Sequence, residues 1–351
     1  MTNLRTFLQP NMDAFLSENL ESMTRTNNNI LLPPHSKLSL HNPDDVPTPI
    51  LSNVEEVAPY LSDKRNIVFM TSPSVSGSYI SSLQDYNSTW HTTGRLQELK
   101  LSQFLNSKYF ARHPEEVWRW HFELKRVVFS GRPSLAHAAI ADFQFFCNEN
   151  NKDLSIVALS VDGYHAQAYN EFLKNNKDLV KNSKTCTVTS KINSGMEKQT
   201  YSYGIFEVNG NIFSRRCTNN CHKGTLPAAD DKLQKELLPK CPRCGSNARP
   251  HHLCFDETYN SCDYKIPELK KRIDNMDCLV LVDCKLESNI ELRIVQQALL
   301  SGIPIIEISA QPIIEWGNVL QIQGQSQEII PKLLELAKSQ CTSQEVRSCM
   351  D

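Results

Sequence analysis

From about residue 61 the chain alternates short apolar runs with longer segments whose apolar positions recur at helical spacing. Residues 66–70, 155–159, 278–282 and 303–307 are largely apolar runs, as expected of strands buried on both faces. Residues 114–129, 135–147, 287–300 and 331–338 carry the helical period. Pro114 followed by Glu115 and Glu116 suits a first helical turn, where no N–H is missed and negative charge is favoured. This alternation predicts an α/β fold, a doubly wound, Rossmann-like parallel sheet drawn from residues 61–80, 131–212 and 249–340. Ligands of such sheets sit beyond the carboxyl ends of the strands.

Three stretches interrupt the pattern. Residues 81–130 read as a helical insertion, in which Trp118 and Phe122 share one helix face and are expected to pack against the sheet rather than stack on bases. Residues 169–203, rich in Lys, Asn, Ser and Thr, predict a long polar surface insertion. Residues 213–248 hold two close cysteine pairs. At the ends, residues 1–60 are rich in Asn, Ser and Pro and predict a flexible extension, and residues 341–351 a tail. Met12, Phe15, Leu16, Leu20 and Met23 would form one apolar helix face within that extension, either folded back or docking a partner.

The 351 residues are 40% hydrophobic and 22% charged, enough to bury the core of one large domain or two ordinary ones. Against 37 Lys and Arg stand 39 Asp and Glu, a net charge of −2 that provides no electrostatic pull toward nucleic acid or an anionic membrane. The pair Lys125-Arg126 and the triplet Lys270-Lys271-Arg272 read as solvated helix faces. No apolar stretch is long enough to span a bilayer and no secretory signal is read, so the expected setting is intracellular and reducing, nucleus or cytoplasm. The 12 glycines are few, and no two are separated by a single residue, so no G-x-G phosphate loop is present.

The 12 cysteines divide into two groups. Cys147, Cys186, Cys254, Cys262, Cys278, Cys284, Cys341 and Cys349 are scattered and read as small hydrophobes in a reducing compartment. Cys217 and Cys221, then Cys241 and Cys244, form C-x3-C and C-x2-C pairs separated by nineteen residues. Two such pairs on turns can aim four sulfurs at one zinc ion, and four thiolates close its shell, so the ion is structural rather than catalytic. Pro242 and Gly245 supply the turn around the second pair.

Further motifs follow in order. Pro133 and His137 stand as in a P-x-x-x-H helix start, and Val161-Asp162-Gly163-Tyr164-His165 as in I-D-G-L-H. Phe206-Glu207-Val208-Asn209-Gly210-Asn211-Ile212-Phe213 stands as in E-L-H-G-S-L-F, leading into the cysteine module. Arg249-Pro250-His251, then Phe255-Asp256-Glu257, stands as in R-P-x-V-V-W-F-G-E. Over about residues 67–336 the chain therefore resembles the sirtuins, the NAD-dependent protein deacylases. The resemblance implies their fold, a structural zinc module, NAD as cofactor, and an acylated lysine peptide lying along segment 249–257.

Residue by residue, the chemistry departs from the family pattern. The histidine that serves sirtuins as general base is Asn209 here, and an amide takes no proton near neutral pH; losing such a base costs roughly 10²–10⁴-fold in rate. The G-A-G-x-S loop corresponds to Met70-Thr71-Ser72-Pro73-Ser74-Val75-Ser76, without glycine, and I-P-D-F-R to Ile80-Ser81-Ser82-Leu83-Gln84. The T-Q-N-I-D run reads Ala158-Leu159-Ser160-Val161-Asp162, so Ser160 departs and Asp162 is retained. G-T-S becomes Asp283-Cys284-Lys285, a carboxylate facing the cofactor's negative charge unless Lys285 offsets it. His165 matches a family histidine that is not the base, and His251 and His252 are expected to cap or solvate the substrate-facing strand. Cys254 and Asp256 replace tryptophan and glycine on that strand, which argues against an acylated-peptide partner.

Five departures at cofactor-facing places predict a sirtuin-like pseudoenzyme, a binding or scaffolding subunit with a protein partner, structural zinc and no intact catalytic residue. They argue against NAD, and no direct nucleic-acid or membrane partner is expected. Two alternatives remain from the same residues: a divergent NAD-dependent deacylase or ADP-ribosyltransferase using Asp162, and an ADP-ribose or NAD sensor without turnover.

Overall fold

The computed structural model describes residues 49–79, 101–182, 204–221, 224–227, 238–257, 262–314 and 318–348. In chain order its strands are β1 (Ile50–Leu51), β2 (Asn66–Thr71), β3 (Asp153–Ala158), β4 (Ile205–Glu207), β5 (Gly210–Cys217), β6 (Leu226–Pro227), β7 (Ala248–His252), β8 (Cys278–Val282), β9 (Ile305–Ser309) and β10 (Val319–Gln323). The helices are α1 (Val54–Asp63), α2 (Leu101–Phe104), α3 (Ser107–Arg112), α4 (Pro114–Ser130), α5 (Leu135–Glu149), α6 (Tyr164–Asn175), α7 (Lys177–Asn182), α8 (Ile266–Asp274), α9 (Asn289–Leu300) and α10 (Ser326–Ser348).

Seven strands form one sheet in the order β1-β10-β9-β8-β2-β3-β4, and every neighbouring pair is parallel. The chain winds outward from β2 to β3 and β4, then returns to the opposite side of β2 at β8. The strand order therefore reverses between β2 and β8, and the carboxyl ends of these two strands frame the crevice where doubly wound folds place ligands. A second, antiparallel sheet of order β6-β5-β7 carries the cysteine pairs.

Alternating residues of the central strands point to opposite faces. Ile67, Phe69, Ile156, Val280 and Ile306 bury against α1, α5 and α10, whereas Val68, Met70, Val157, Leu279 and Leu281 bury against α8 and α9. A third cluster joins α2, α3 and α4 to Tyr164 and to Ile212 and Ala248 of the small sheet. Trp118 is a core residue as expected, but it packs on the small sheet, its Nε1 donating to the Ala248 carbonyl at 2.9 Å.

Several boundaries differ from the sequence expectation. The folded part begins well before residue 61: Ile50 pairs with Leu320, and α1 starts in a capping box between Asn53 and Glu56 and buries Val57, Ala58 and Leu61. This amphipathic turn sits among prolines and polar residues, which mask its period. The proposed helix face at Met12–Met23 lies outside the described residues. The stretch from residue 169 begins inside α6, which buries Tyr164, His165 and Ala168 and turns its Lys- and Asn-rich side outward, and α7 follows. At the other end α10 runs on to Ser348. Strand β10 is unexpected from its alternating Val-Leu-Gln-Ile-Gln pattern; its Gln321 is paired with the buried Glu307 at 2.7 Å.

Gly210 opens β5 with φ +98°, and a Cβ there would overlap the His251 carbonyl of β7. Gly210→Ala is accordingly expected to lower unfolding stability by more than about 2 kcal/mol, combining backbone strain with a clash against immovable main chain. Urea denaturation checks this; an unchanged midpoint would show that the turn relaxes freely.

Candidate functional site

At the carboxyl ends of the strands several side chains bond one another. Past β2, the Ser72 N–H donates to the Val282 carbonyl at 3.1 Å, sealing β2 to β8, and a 3-10 turn over Pro73–Tyr79 follows. Asp162, 1% exposed, accepts from Ser76 Oγ at 2.5 Å, from Ser160 Oγ at 3.0 Å and from the Tyr164 N–H at 2.9 Å. Thr71 Oγ1 lies 2.8 Å from His165 Nε2, and the His165 ring packs 4.4 Å from that of His137. His137 Nδ1 is in turn 2.8 Å from Ser134 Oγ, which caps α5.

Asn209 sits in the tight turn between β4 and β5. Its Nδ2 donates to the Leu159 carbonyl at 2.8 Å and its own carbonyl accepts from the Leu253 N–H at 2.9 Å. Asn209, Ser160 and Asp162 are thus brought together at the end of β3. Glu207, two residues earlier, was given no chemical role by the sequence. It pairs with Asn211 Nδ2 at 2.5 Å, and burial pushes its carboxyl up to about 7, with Asn211 and Lys265 opposing and Asp162 adding. The signal that could have found it is a carboxylate at the carboxyl end of an edge strand beside the retained aspartate.

Asp283 holds a left-handed φ of +51° just past β8. Its carboxylate accepts from Ser326 Oγ at 2.5 Å, at the start of α10, and burial raises its pKa against that bond. Ser326 is its partner; Lys285 is exposed.

The four cysteines expected to hold zinc converge. The Sγ atoms of Cys217, Cys221, Cys241 and Cys244 lie within 4.8 Å of one another, with Cys217–Cys244 and Cys221–Cys241 at 3.5 Å. A tetrahedral zinc with bonds of about 2.3 Å needs sulfurs roughly 3.8 Å apart. Gly245 closes the second turn with its N–H on the Cys241 carbonyl at 2.9 Å, and Ser246 Oγ lies 3.2 Å from Cys217 Sγ and 2.9 Å from Cys244 Sγ. The cluster is consistent with a zinc ribbon.

No protein-family model matches the chain. It is 23% identical over 267 residues to an NAD-dependent protein deacylase of Leptospira interrogans, covering 76% of this chain and 92% of that one. It is 24% identical over 285 residues to NAD-dependent protein deacylase 2 of Pyrobaculum aerophilum, covering 80% and 95%. These matches support the sirtuin family for this chain. A crystal structure of a Sir2 homolog–NAD complex superposes with a TM-score of 0.62 at 19% identity, covering 84% of this chain and 97% of that one, which shows the shared fold.

The segment after the ribbon is a partly buried charge cluster. Glu257 accepts from Arg216 at 2.7 and 2.8 Å, from Arg249 at 2.9 and 2.5 Å, and from the Cys254 N–H at 2.9 Å. Asp256 accepts from the Ser107 N–H and Oγ, tying the segment to α3. The expectation that His251 and His252 cap or solvate the strand is overturned. They are 5% and 6% exposed, His251 stacking on Tyr264 at 4.8 Å and His252 Nε2 lying 2.8 Å from His121 Nδ1. Both sit under the helical module and the Arg-Glu cluster, which no strand pattern encodes. No helix among the described residues is long and apolar enough to cross a membrane.

These histidines give the sirtuin fold a pH signature. Burial, with the Arg216 and Arg249 charges adding, lowers His251 and His252 to about 3; burial lowers His137 to about 4 against the pull of Asp162. Burial holds His121 and His165 well below the ordinary value too. Each is neutral when folded and takes a proton on unfolding below about 6.5, so its contribution is complete above that pH and is lost as pH falls toward 4 and 3. Glu207 has the opposite sign, binding a proton in the folded chain between about 7 and 4.5, and offsets one histidine. Stability is therefore expected to fall from pH 6.5 to 4.5 by about 1.4 kcal/mol per pH unit for each net proton taken up. Denaturant titrations at pH 7.5, 6 and 5 check the sign; equal stability at all three would rule it out.

Proposed function

We propose that this sirtuin-family chain is a pseudoenzyme, a binding or scaffolding subunit built around a structural zinc. The observation that carries the reading is Asn209: at the position of the family's general base stands an amide whose nitrogen is engaged by the Leu159 carbonyl at 2.8 Å. An amide neither accepts the ribose proton nor titrates near neutrality. The residues around it fit NAD poorly. Asp162 spends its oxygens on Ser76, Ser160 and Tyr164, and Asp283 sets a carboxylate near the switch point, where the cofactor's phosphates would be repelled. The segment expected to pair with an acylated peptide carries Cys254 and Asp256, both already engaged within the chain. Exposed Phe129 and Leu135, 78% and 70% accessible at either end of the α4–α5 connection, support a protein partner.

The cysteine cluster fits zinc, with Cys217, Cys221, Cys241 and Cys244 as the ligands; bound there, the ion would cross-link β5 to the turn before β7. Buried free thiols at Cys147, Cys254, Cys278, Cys284 and Cys341 support a reducing intracellular setting.

A second reading, a divergent NAD-dependent enzyme, is favoured by one observation: Glu207, with its pKa near 7, lies two residues from Asn209 and could accept a proton in place of a histidine. The sensor reading requires ADP-ribose or NAD to bind without product.

Titration with NAD to millimolar concentration is expected to leave the melting temperature unchanged, because a ligand that binds the folded state must raise it. Stabilisation by ADP-ribose without product would favour the sensor. NAD-dependent removal of an acyl group from lysine, abolished by Asp162→Ala or Glu207→Gln, would replace the pseudoenzyme reading with the second one. Elemental analysis is expected to find one zinc per chain, and Cys241→Ser to lose it; a folded Cys241→Ser protein with stoichiometric zinc would refute the four-thiolate assignment.

A further inference from the structure

The first cysteine pair of the ribbon is flanked by two donors that converge on one carboxylate. Arg216 stands immediately before Cys217 in β5, and Gly224 comes three residues after Cys221. The Gly224 N–H donates to Asp263 Oδ1 at 2.9 Å, and Arg216 Nη1 lies 3.6 Å from Asp263 Oδ2. Asp263 belongs to a 3-10 turn over Cys262–Tyr264, 39 residues beyond Gly224. A carboxylate from a distant element therefore grips both sides of the C-x3-C turn.

The two cysteines of that turn are held differently. Cys217 is the last residue of β5 and pairs with Ala248 of β7, whereas Cys221 lies past the strand end and takes its place from the turn. The Gly224–Asp263 bond anchors the far side of the turn. On the near side, Arg216 Nη2 is bonded to both oxygens of Glu257 at 2.7 and 2.8 Å, and its guanidinium lies over the Tyr264 ring at 5.4 Å. A planar fork directs its donors, so an arginine shared by two carboxylates and a ring has little freedom to turn. Groups outside the ligand shell that hold ligand-bearing elements in place raise metal affinity, because less order has to be imposed on binding.

We propose that Asp263 is a positioning residue of the ribbon, holding the Cys217–Cys221 turn closed for the metal through Gly224 and Arg216 and coupling that metal to the Arg216–Glu257 cluster. The inference rests on the zinc reading above. Such coupling is reciprocal: an element that retards loss of the metal is itself held more firmly when the metal is bound.

The test measures zinc release from the purified full-length chain into excess chromogenic chelator, and amide exchange over residues 262–266 with and without zinc. Asp263→Ala is expected to release zinc about 10–100-fold faster than wild type, the range found when partners outside the ligand shell are removed. Asp263→Asn keeps an acceptor for the Gly224 N–H and loses only the longer ion pair, so its release should stay within about fivefold of wild type. Stripping zinc from wild type should speed exchange over residues 262–266, and in Asp263→Ala that dependence should vanish. Release from Asp263→Ala at the wild-type rate would overturn the inference while leaving the zinc reading intact. Equal acceleration in the Ala and Asn variants would also overturn it, since the bond to Gly224 would then hold nothing, as would exchange in wild type that is indifferent to zinc. Wild-type protein purified without zinc would overturn both.

Discussion

The turn at Asn209 and Gly210 is the joint on which both sheets depend. Asn209 reaches back to the end of β3 through its side chain and across to the segment beyond β7 through its carbonyl. Gly210 then pairs with His252 at a distance only a residue without Cβ can reach. A parallel sheet and an antiparallel sheet, with different twists and different hydrogen-bond spacing, are thereby held in one orientation. The ribbon cysteines, the Arg-Glu cluster and the helical module all take their positions from it. Asparagine suits this joint because its amide can donate to a carbonyl while remaining uncharged inside the protein.

Charge burial organises the rest of the small sheet. Glu257 is shared by Arg216 and Arg249, with the Cys254 amide completing its shell, so three charges leave water together. Glu257 thereby ties β5 and β7 to the segment beyond them, since both arginines and the Cys254 amide converge on one carboxylate. The histidines nearby escape the same cost by staying neutral. His252 does so under two arginines, and His121 completes its hydrogen bond. At the strand ends of the large sheet the logic is similar. Asp162 and Asp283 take hydroxyl and amide donors from the chain itself.

Much of this was legible beforehand. The four central strands announce themselves as apolar runs, and α4, α5 and α9 fall within a few residues of their expected ends, because burial on a repeating element leaves a period in the sequence. The two cysteine pairs were equally plain, since their spacing alone confines four sulfurs to two turns. Less legible were β1, β10 and α6. Each is half-covered or carries polar residues that the fold later pairs, as Gln321 is paired with Glu307. The engaged state of the crevice was not legible at all. Ser76 meets Asp162 across 86 residues of chain and Ser326 meets Asp283 across 43, and no local pattern pairs either serine with its aspartate.

Local periodicity and short-range spacing, then, determined the architecture and the cysteine ligand set, because both are properties of consecutive residues. Tertiary structure alone decided which buried charges have partners, that His251 and His252 are enclosed, and that Arg216 faces Glu257 and Asp263. Those outcomes depend on the order in which the strands assemble and on which face each turns inward, and no local stretch of sequence carries that information.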